Sequence, residues 1–345
     1  MKILYAIQGT GNGHLSRARD IVPLLKKKAE VDILISGIQA DVSLPFPVKY
    51  RLKGLSFVFG KKGGIDLLNT YLKMDTRELL KDIEKIPIQD YDLVINDFEP
   101  ITAWACKQKG LQCIALSHQS AVLAKNAPKP KKKDTLGKTV LKHYAPSTEQ
   151  YGFHFSKFDK NIFTPVIRQE IRNLKPTNNR HYTVYLPAYD DMRLLKYLGK
   201  FKNIQWDVFS KHNKKVVKHN NITIQPINNE AFVKSLAACT GVLCGAGFET
   251  PAEALFLKKK LLVIPMKGQY EQQCNAAALK AMGVPVIKSL KEKHLSVIKD
   301  WIEYGKIIPV DYPDVTEQII NNIIADVIKR KIVVREKGWK ELSHA

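Results

Sequence analysis

The sequence predicts an α/β protein made of two doubly wound, Rossmann-like domains that face one another across a cleft. Three observations predict it. Short, near-continuously apolar runs alternate with longer amphipathic stretches, the pattern of buried parallel strands joined by helical crossovers. The alternation restarts after Phe163-Thr164-Pro165, and a chain of 345 residues exceeds the usual size of one domain. A glycine-rich turn follows a strand in each half: Gly9-Thr10-Gly11-Asn12-Gly13-His14 in the first and Gly245-Ala246-Gly247 in the second. Doubly wound sheets hold their ligands there, beyond the carboxyl ends of the strands. The linker is placed near Thr164 to Arg168, which divides the chain into an N-terminal domain, 1–165, and a C-terminal domain, 166–345.

In the first half, Lys2–Ile7, Val31–Ser36, Asp92–Asp97 and Gln112–Ser117 read as strands, because they are apolar on both faces and too short for helices. Leu15–Lys28, Ile65–Ile86 and Pro100–Lys109 read as the helices between them. Pro100 suits the first turn of the last, where a missing N–H costs nothing. The segment Lys125–Lys142 mixes Lys129, Lys131, Lys132 and Lys133 with Pro128 and Pro130, which predicts a mobile, solvated loop. In the second half, strands are expected at His181–Leu186, Ile204–Phe209, Ile222–Gln225, Gly241–Cys244 and Leu261–Ile264. Helices are expected near Asp190–Leu198, Asn229–Ala238, Glu249–Leu257 and Gln272–Met282, and a last one at Val315–Lys329 leaves a basic tail.

Composition limits the partners. Fifty-five Lys and Arg against 33 Asp and Glu give a net charge of +22, which attracts anionic lipid headgroups, nucleic acid or phosphorylated substrates. Aromatic residues do not interleave the Lys125–Lys142 cluster, so it lacks the stacking platforms of a nucleic-acid binder. No apolar run approaches the ~20 residues of a membrane span, and no signal-peptide pattern precedes the strand at Lys2. The expected location is the cytoplasm, with the lysine cluster available to dock on the inner face of an anionic membrane. The five cysteines are odd in number and form no C-x-x-C pair, so reduced core thiols are expected rather than disulfides or a zinc site.

The chemistry concentrates around Gly245-Ala246-Gly247-Phe248-Glu249-Thr250-Pro251-Ala252-Glu253 and Glu271-Gln272-Gln273-Cys274-Asn275-Ala276. Glycines let backbone N–H groups approach an anion, and a helix starting at Phe248 or Glu249 aims its positive end at it. Glu253 lies about one turn further on. Glu271 and Gln272 carry the acceptors and donors that suit vicinal hydroxyls, so the pattern reads as a site for a phosphorylated sugar. In the first half, His14 either lines its helix or acts as a base, and Asp97 and Glu99 either cap the helix at Pro100 or orient that base or the acceptor. His14 also stands where a nicotinamide fingerprint needs a third small residue. Gly137-Lys138-Thr139 resembles the end of a P-loop, but Lys132 occupies the place of its first glycine, which excludes nucleotide triphosphatase chemistry there.

These motifs, G-T-G-N-G-H from Gly9, G-A-G-F-E-T-P-A-E from Gly245 and E-Q-Q-C-N-A from Glu271, resemble those of GT-B fold glycosyltransferases of the family 28 kind. That group is similar to the bacterial peptidoglycan N-acetylglucosaminyltransferase and the UDP-glucuronosyltransferases. The resemblance implies an acceptor in the N-terminal domain and a UDP-sugar donor in the C-terminal one, with no cofactor, no metal and inversion at the anomeric carbon. It implies that Glu253 binds the donor ribose, that Glu271 and Gln272 bind the donor sugar, and that the backbone at Ile227 reads uracil. It further implies that Gly247, Phe248, Glu249 and Thr250 hold the diphosphate. Asn275 stands with this donor group, and Gly11 and Gly13 belong to the facing loop. The base is His14, Asp97 or Glu99. Two departures leave the acceptor open, lipid-linked or otherwise: Ser117-His118-Gln119-Ser120 replaces a His-Glu-Gln-Asn acceptor motif, and Gly245 replaces a basic residue near the diphosphate. A UDP-sugar 2-epimerase of the same fold and a noncatalytic polyanion-binding protein are the alternative readings.

Overall fold

The computed structural model describes residues 1–37, 44–54, 59–60, 64–65 and 76–342. The expected alternation is present in both halves. The first comprises β1 (Lys2–Gln8), α1 (Asn12–Lys26), β2 (Glu30–Ser36), β3 (Tyr50–Leu52), the short pair β4 (Phe59–Gly60) and β5 (Gly64–Ile65), and α2 (Thr76–Lys85). It continues through β6 (Leu93–Asp97), α3 (Pro100–Gln108), β7 (Cys113–Ser117), α4 (His118–Val122), α5 (Thr135–Tyr144), β8 (Glu149–Phe153) and β9 (Ile162–Phe163). Seven of these strands form one sheet in the order β3-β2-β1-β6-β7-β8-β9, parallel throughout.

After the short helix α6 (Gln169–Arg172), the second half runs β10 (His181–Tyr185), α7 (Asp191–Leu198), β11 (Gln205–Ser210), β12 (Val217–His219), β13 (Ile222–Pro226) and α8 (Asn229–Ala238). It ends with β14 (Gly241–Gly245), α9 (Glu249–Phe256), β15 (Lys260–Ile264), α10 (Tyr270–Ala281), α11 (Leu295–Tyr304) and α12 (Thr316–Leu342). Its sheet order is β12-β13-β11-β10-β14-β15, with only the exposed edge strand β12 antiparallel. In both sheets the order reverses beside the first strand of the half, and both glycine turns leave strands at that end. This is the doubly wound arrangement that places a ligand crevice at the carboxyl ends.

One apolar core joins the halves. It runs from Ile3, Tyr5 and Ile7 through Phe153, Phe155 and Phe248 to Val242, Leu255 and Val263. Helix α12 follows the second half in sequence but packs Ile319, Ile320, Ile323 and Val327 into this core, and Tyr151 donates to Asp326 at 2.7 Å. Helix α12 thus returns to the first half after the second sheet is complete.

Two elements differ from expectation. Helix α1 begins at Asn12 rather than Leu15, so Gly13 and His14 lie in its first turn. The Lys125–Lys142 segment is not a loop throughout. Asp134 accepts from the Gly137 N–H and caps helix α5, whose partly buried Leu141 packs against Val122, Tyr270 and Cys274. Gly137 is glycine for a packing reason, since a Cβ there would lie 2.6 Å from Tyr270 Cβ. Lys129 is committed as well: its ammonium donates to the carbonyls of Val122 and Ala124 at the end of α4. The first half of the expected helix Ile65–Ile86 lies largely outside the described residues. All five cysteines are buried thiols.

Candidate active site

Helix α1 carries His14 and Arg17 three residues apart, which places both on one face. That face meets the end of β6. The His14 Nδ1 lies 2.8 Å from Asp97 Oδ1, and Arg17 grips the same carboxylate through Nη2 at 2.8 and 2.9 Å and Nε at 3.2 Å. A carboxylate only accepts, so Nδ1 carries the histidine proton and Nε2 presents a lone pair. Asp97 is fully buried. Burial alone would raise its pKa, but Arg17 and then His14 outweigh it and hold the carboxyl below its ordinary range.

The Nε2 side of His14 faces a cleft with a cavity volume of ≈ 130 Å³. Gln8, Thr10, Phe98 and Gln119 line it from the N-terminal sheet, Val140 and Leu141 from α5, and Gln269, Tyr270 and Glu271 from the second half. Gln119 spans the halves: its amide donates to Glu271 Oε2 at 3.0 Å and lies 3.5 Å from His14 Nε2. Phe98 holds a left-handed backbone, φ 59°, which is costly for a bulky side chain. That conformation sets its ring against Tyr144, with centroids 4.7 Å apart, and nearly parallel to His14 at 6.5 Å. The strained residue thus builds the wall beside the histidine.

Glu99 is placed elsewhere, which corrects the expectation of a third base candidate. It is fully buried, accepts from the Ile101 and Thr102 N–H groups at 2.7 Å each, and accepts from the hydroxyls of Thr102 and Ser36 at 2.6 Å each. It is the cap of α3. Substituting Glu99→Ala is expected to cost about 2–3 kcal/mol, because it strands buried donors, and to leave the pH dependence of turnover unchanged. Thermal unfolding and a pH–rate profile check both halves of that statement.

In the second half, β14 ends at Gly245 and α9 begins at Glu249, and neither Gly247 nor the first turn of α9 lines the cleft beside His14. Helix α9 has no side-chain cap, so its first N–H groups, including Glu249 and Thr250, are available to an anion. A Cβ at Gly247 would meet nothing within 4 Å, so this turn opens onto space. Ile227 follows β13 and is half-buried beside the same sheet end. Gln272 accepts from the Met266 N–H at 2.8 Å and Glu271 faces the cleft.

Three residues expected at the donor site do other work. The Phe248 side chain is buried and stacks on His118 with centroids 3.9 Å apart, which leaves only its backbone for a ligand. Asn275 is buried between His118 Nε2 at 2.8 Å and the Ala246 carbonyl at 3.2 Å, as a strut between the halves. Glu253 is buried and accepts from Arg168 Nε at 2.5 Å and Nη2 at 3.0 Å, so its carboxylate is already paired. Arg168 also reaches Asn229 at 2.9 Å. Glu249 likewise takes a hydrogen bond from Arg17 Nη1 across the interface. Gly13 must be glycine for that approach, because a Cβ would lie 2.5 Å from Glu249 Oε2.

Sequence reading missed Arg17, Gln119, Phe98 and Arg168. Arg17 was detectable from its i, i+3 relation to His14. The others depend on contacts between segments distant in sequence and leave no local pattern.

Two doubly wound sheets joined by one core, with a histidine–carboxylate pair facing a cleft lined by both halves, have the architecture of a GT-B glycosyltransferase. The chain matches the model of glycosyl transferase family 1 over residues 1–304 and belongs to that family. This agrees with the resemblance of its motifs and displaces the epimerase and noncatalytic readings. No curated protein sequence matches it. Among solved structures it is similar to the spinosyn forosaminyltransferase SpnP, at TM-score 0.54 and 14% identity over 95% of this chain and 99% of that one. Arabidopsis thaliana UGT89C1 complexed with UDP gives TM-score 0.56 and 12% identity over 94% and 99%. Acinetobacter baumannii MurG gives 0.52 and 13% over 94% and 99%. At these identities the likeness establishes the fold.

Proposed function

We propose that the chain transfers a sugar from a UDP-sugar to an acceptor hydroxyl with inversion at the anomeric carbon. The observation that carries this reading is the His14–Asp97 pair, with Nε2 turned into a cleft lined by both halves. In the proposed step the acceptor O–H proton passes to Nε2 as its oxygen bonds to the anomeric carbon. The bond from that carbon to the diphosphate oxygen breaks, and its electron pair leaves with UDP. Asp97 stabilises the imidazolium so formed, and the first N–H groups of α9 with the helix dipole stabilise the departing charge. A relative of this fold holds UDP, which supports uridine as the nucleotide. Apolar Phe98, Val140 and Leu141 line the cleft from the N-terminal half, which suits an alcohol on an apolar body.

The test is a panel of UDP-, GDP- and dTDP-sugars read by thermal shift. A UDP-sugar at about 100 times its Kd should stabilise the protein by about 2.7 kcal/mol, and the same compound should release UDP when an acceptor is supplied. Stabilisation by GDP- or dTDP-sugars alone would overturn the donor assignment.

A membrane-bound acceptor is part of the same proposal. Among the described residues no helix is long and apolar enough to cross a membrane, so contact would be peripheral. Lys131, Lys132 and Lys133 are exposed beside α5, whose Leu136 is 60% exposed and whose Val140 and Leu141 line the cleft. Each lysine near an anionic surface contributes about 1 kcal/mol. Replacing these three by Ser should lower co-sedimentation with phosphatidylserine vesicles by about tenfold or more at low salt and spare UDP affinity. Lys129 is kept, because it ties down α4. Equal sedimentation of variant and wild type would remove the segment as an anchor.

A further inference from the structure

Asp97, Arg17 and Glu249 form a chain of alternating charge that starts at the His14 imidazole and ends in the first turn of α9. Arg17 is 2% exposed and lies 5.6 Å from the centre of the Phe153 ring, so no solvent screens it. Its guanidinium is divided: Nε and Nη2 hold Asp97 in the N-terminal half, Nη2 also lies 3.2 Å from His14 Nδ1, and Nη1 holds Glu249 in the C-terminal half. The Glu249 side chain is 25% exposed, so it is the end of the chain open to the donor side. Gly13 supplies the space for that contact. Neither Arg17 nor Glu249 faces the acceptor cleft, and neither caps a helix.

We propose that Arg17 and Glu249 are positioning residues that act as an electrostatic relay, joining the donor-binding turn of α9 to the His14–Asp97 pair and setting the charge that Asp97 presents to the imidazole. The proposal rests on the reading of His14 as the base, and deepens it by naming how donor binding reaches that base. The sign follows from the order of charges. Asp97 favours the imidazolium, Arg17 opposes it, and Glu249 draws part of the Arg17 charge away. Diphosphate bound at the start of α9 would add negative charge beside Glu249 and strengthen the base when the donor is in place.

Other groups around the imidazole do not replace this relay. Gln119 on α4 and Phe98 after β6 are uncharged. Glu271 on α10 reaches His14 only through Gln119, and lies 3.9 Å from His118 Nε2. Asp134 lines the cleft but is spent on the cap of α5. The Tyr5 hydroxyl is held far above its ordinary range by burial first and by Asp97, so it is neutral. Burial holds His118 below its ordinary range.

The experiment is an NMR titration of the full chain with histidine labelled at Cε1, with the His14 resonance identified by its loss in His14→Gln. Glu249→Gln should move the His14 resonance's midpoint down and Arg17→Gln should move it up, because the first removes a negative and the second a positive charge from the chain. The double variant should return toward wild type. A midpoint that Glu249→Gln leaves in place would overturn the relay, as would shifts of the same sign in both single variants. Glu249→Gln remains decisive if Arg17→Gln fails to fold, because Glu249 is partly exposed. Saturating UDP should raise the wild-type midpoint. UDP that binds by calorimetry without moving it would break the link to α9, whereas UDP that does not bind at all would overturn the donor assignment and leave the ligand-free shifts to judge the relay.

Discussion

Replacing His14 by Gln is expected to abolish sugar transfer while leaving donor binding intact, with kcat lowered by about 10²–10⁴-fold, the range of a positioned general base. The geometry behind this is directional. Nδ1 is fixed by Asp97, so the ring cannot turn its lone pair away from the cleft, and Nε2 is the ring atom that α1 presents there. Glutamine keeps a polar side chain of similar reach and can still donate toward Asp97, but it has no site that accepts a proton near neutral pH. Donor affinity should survive because the first turn of α9 and the end of β13 lie on the opposite half. Calorimetry with UDP, run beside a UDP-release assay with a competent acceptor, separates the two effects. Turnover within about threefold of wild type would make His14 a structural residue.

Much of the architecture was legible because buried parallel strands write themselves as uninterrupted apolar runs. Val94 and Ile95 on β6, or Leu261 to Ile264 on β15, leave no other use for such residues. Strands at sheet edges were illegible for the same reason reversed: Val217–His219 is exposed and pairs along only one side, so no apolar pattern marks it. The start of α1 was displaced because glycines argue against a helix, yet Gly13 serves a contact with Glu249 that only the fold reveals. At the site, sequence reading found the loops and the residue types but not the pairings. Asp97 was read as a helix cap, an orienter of the base or the base itself, and it pairs with His14. Glu253 has the right place after the glycine turn, and nothing local announces that Arg168, distant in sequence, already pairs with it. Local signals specify backbone form; ion pairs between halves are decided by tertiary contact.

Asp97→Asn should produce the larger combined effect, on both catalysis and stability. An amide at this position turns an N–H toward His14 Nδ1, which favours the opposite tautomer and places a proton on Nε2, where a lone pair is needed. Loss of the orienting carboxylate in such pairs lowers kcat by about 10⁴-fold with the geometry intact. The variant also leaves Arg17, buried at 2% exposure, with only Glu249 to balance it, and breaking a buried ion pair in this way costs about 3–5 kcal/mol. The pH dependence gives the sign. The Asp97 pKa is depressed in the folded state, so its contribution is present above the unfolded value of about 3.9 and is lost as pH falls through the folded one. The stability gap between wild type and Asp97→Asn should therefore be constant from about pH 7 to 5 and close below about pH 4. Denaturant unfolding across that range measures the gap, and kcat is normalised to the folded fraction. A gap that persisted unchanged at pH 2.5 would show that Asp97 contributes through packing and not through its charge. A folded variant that kept kcat within tenfold of wild type would remove it from the orientation of His14.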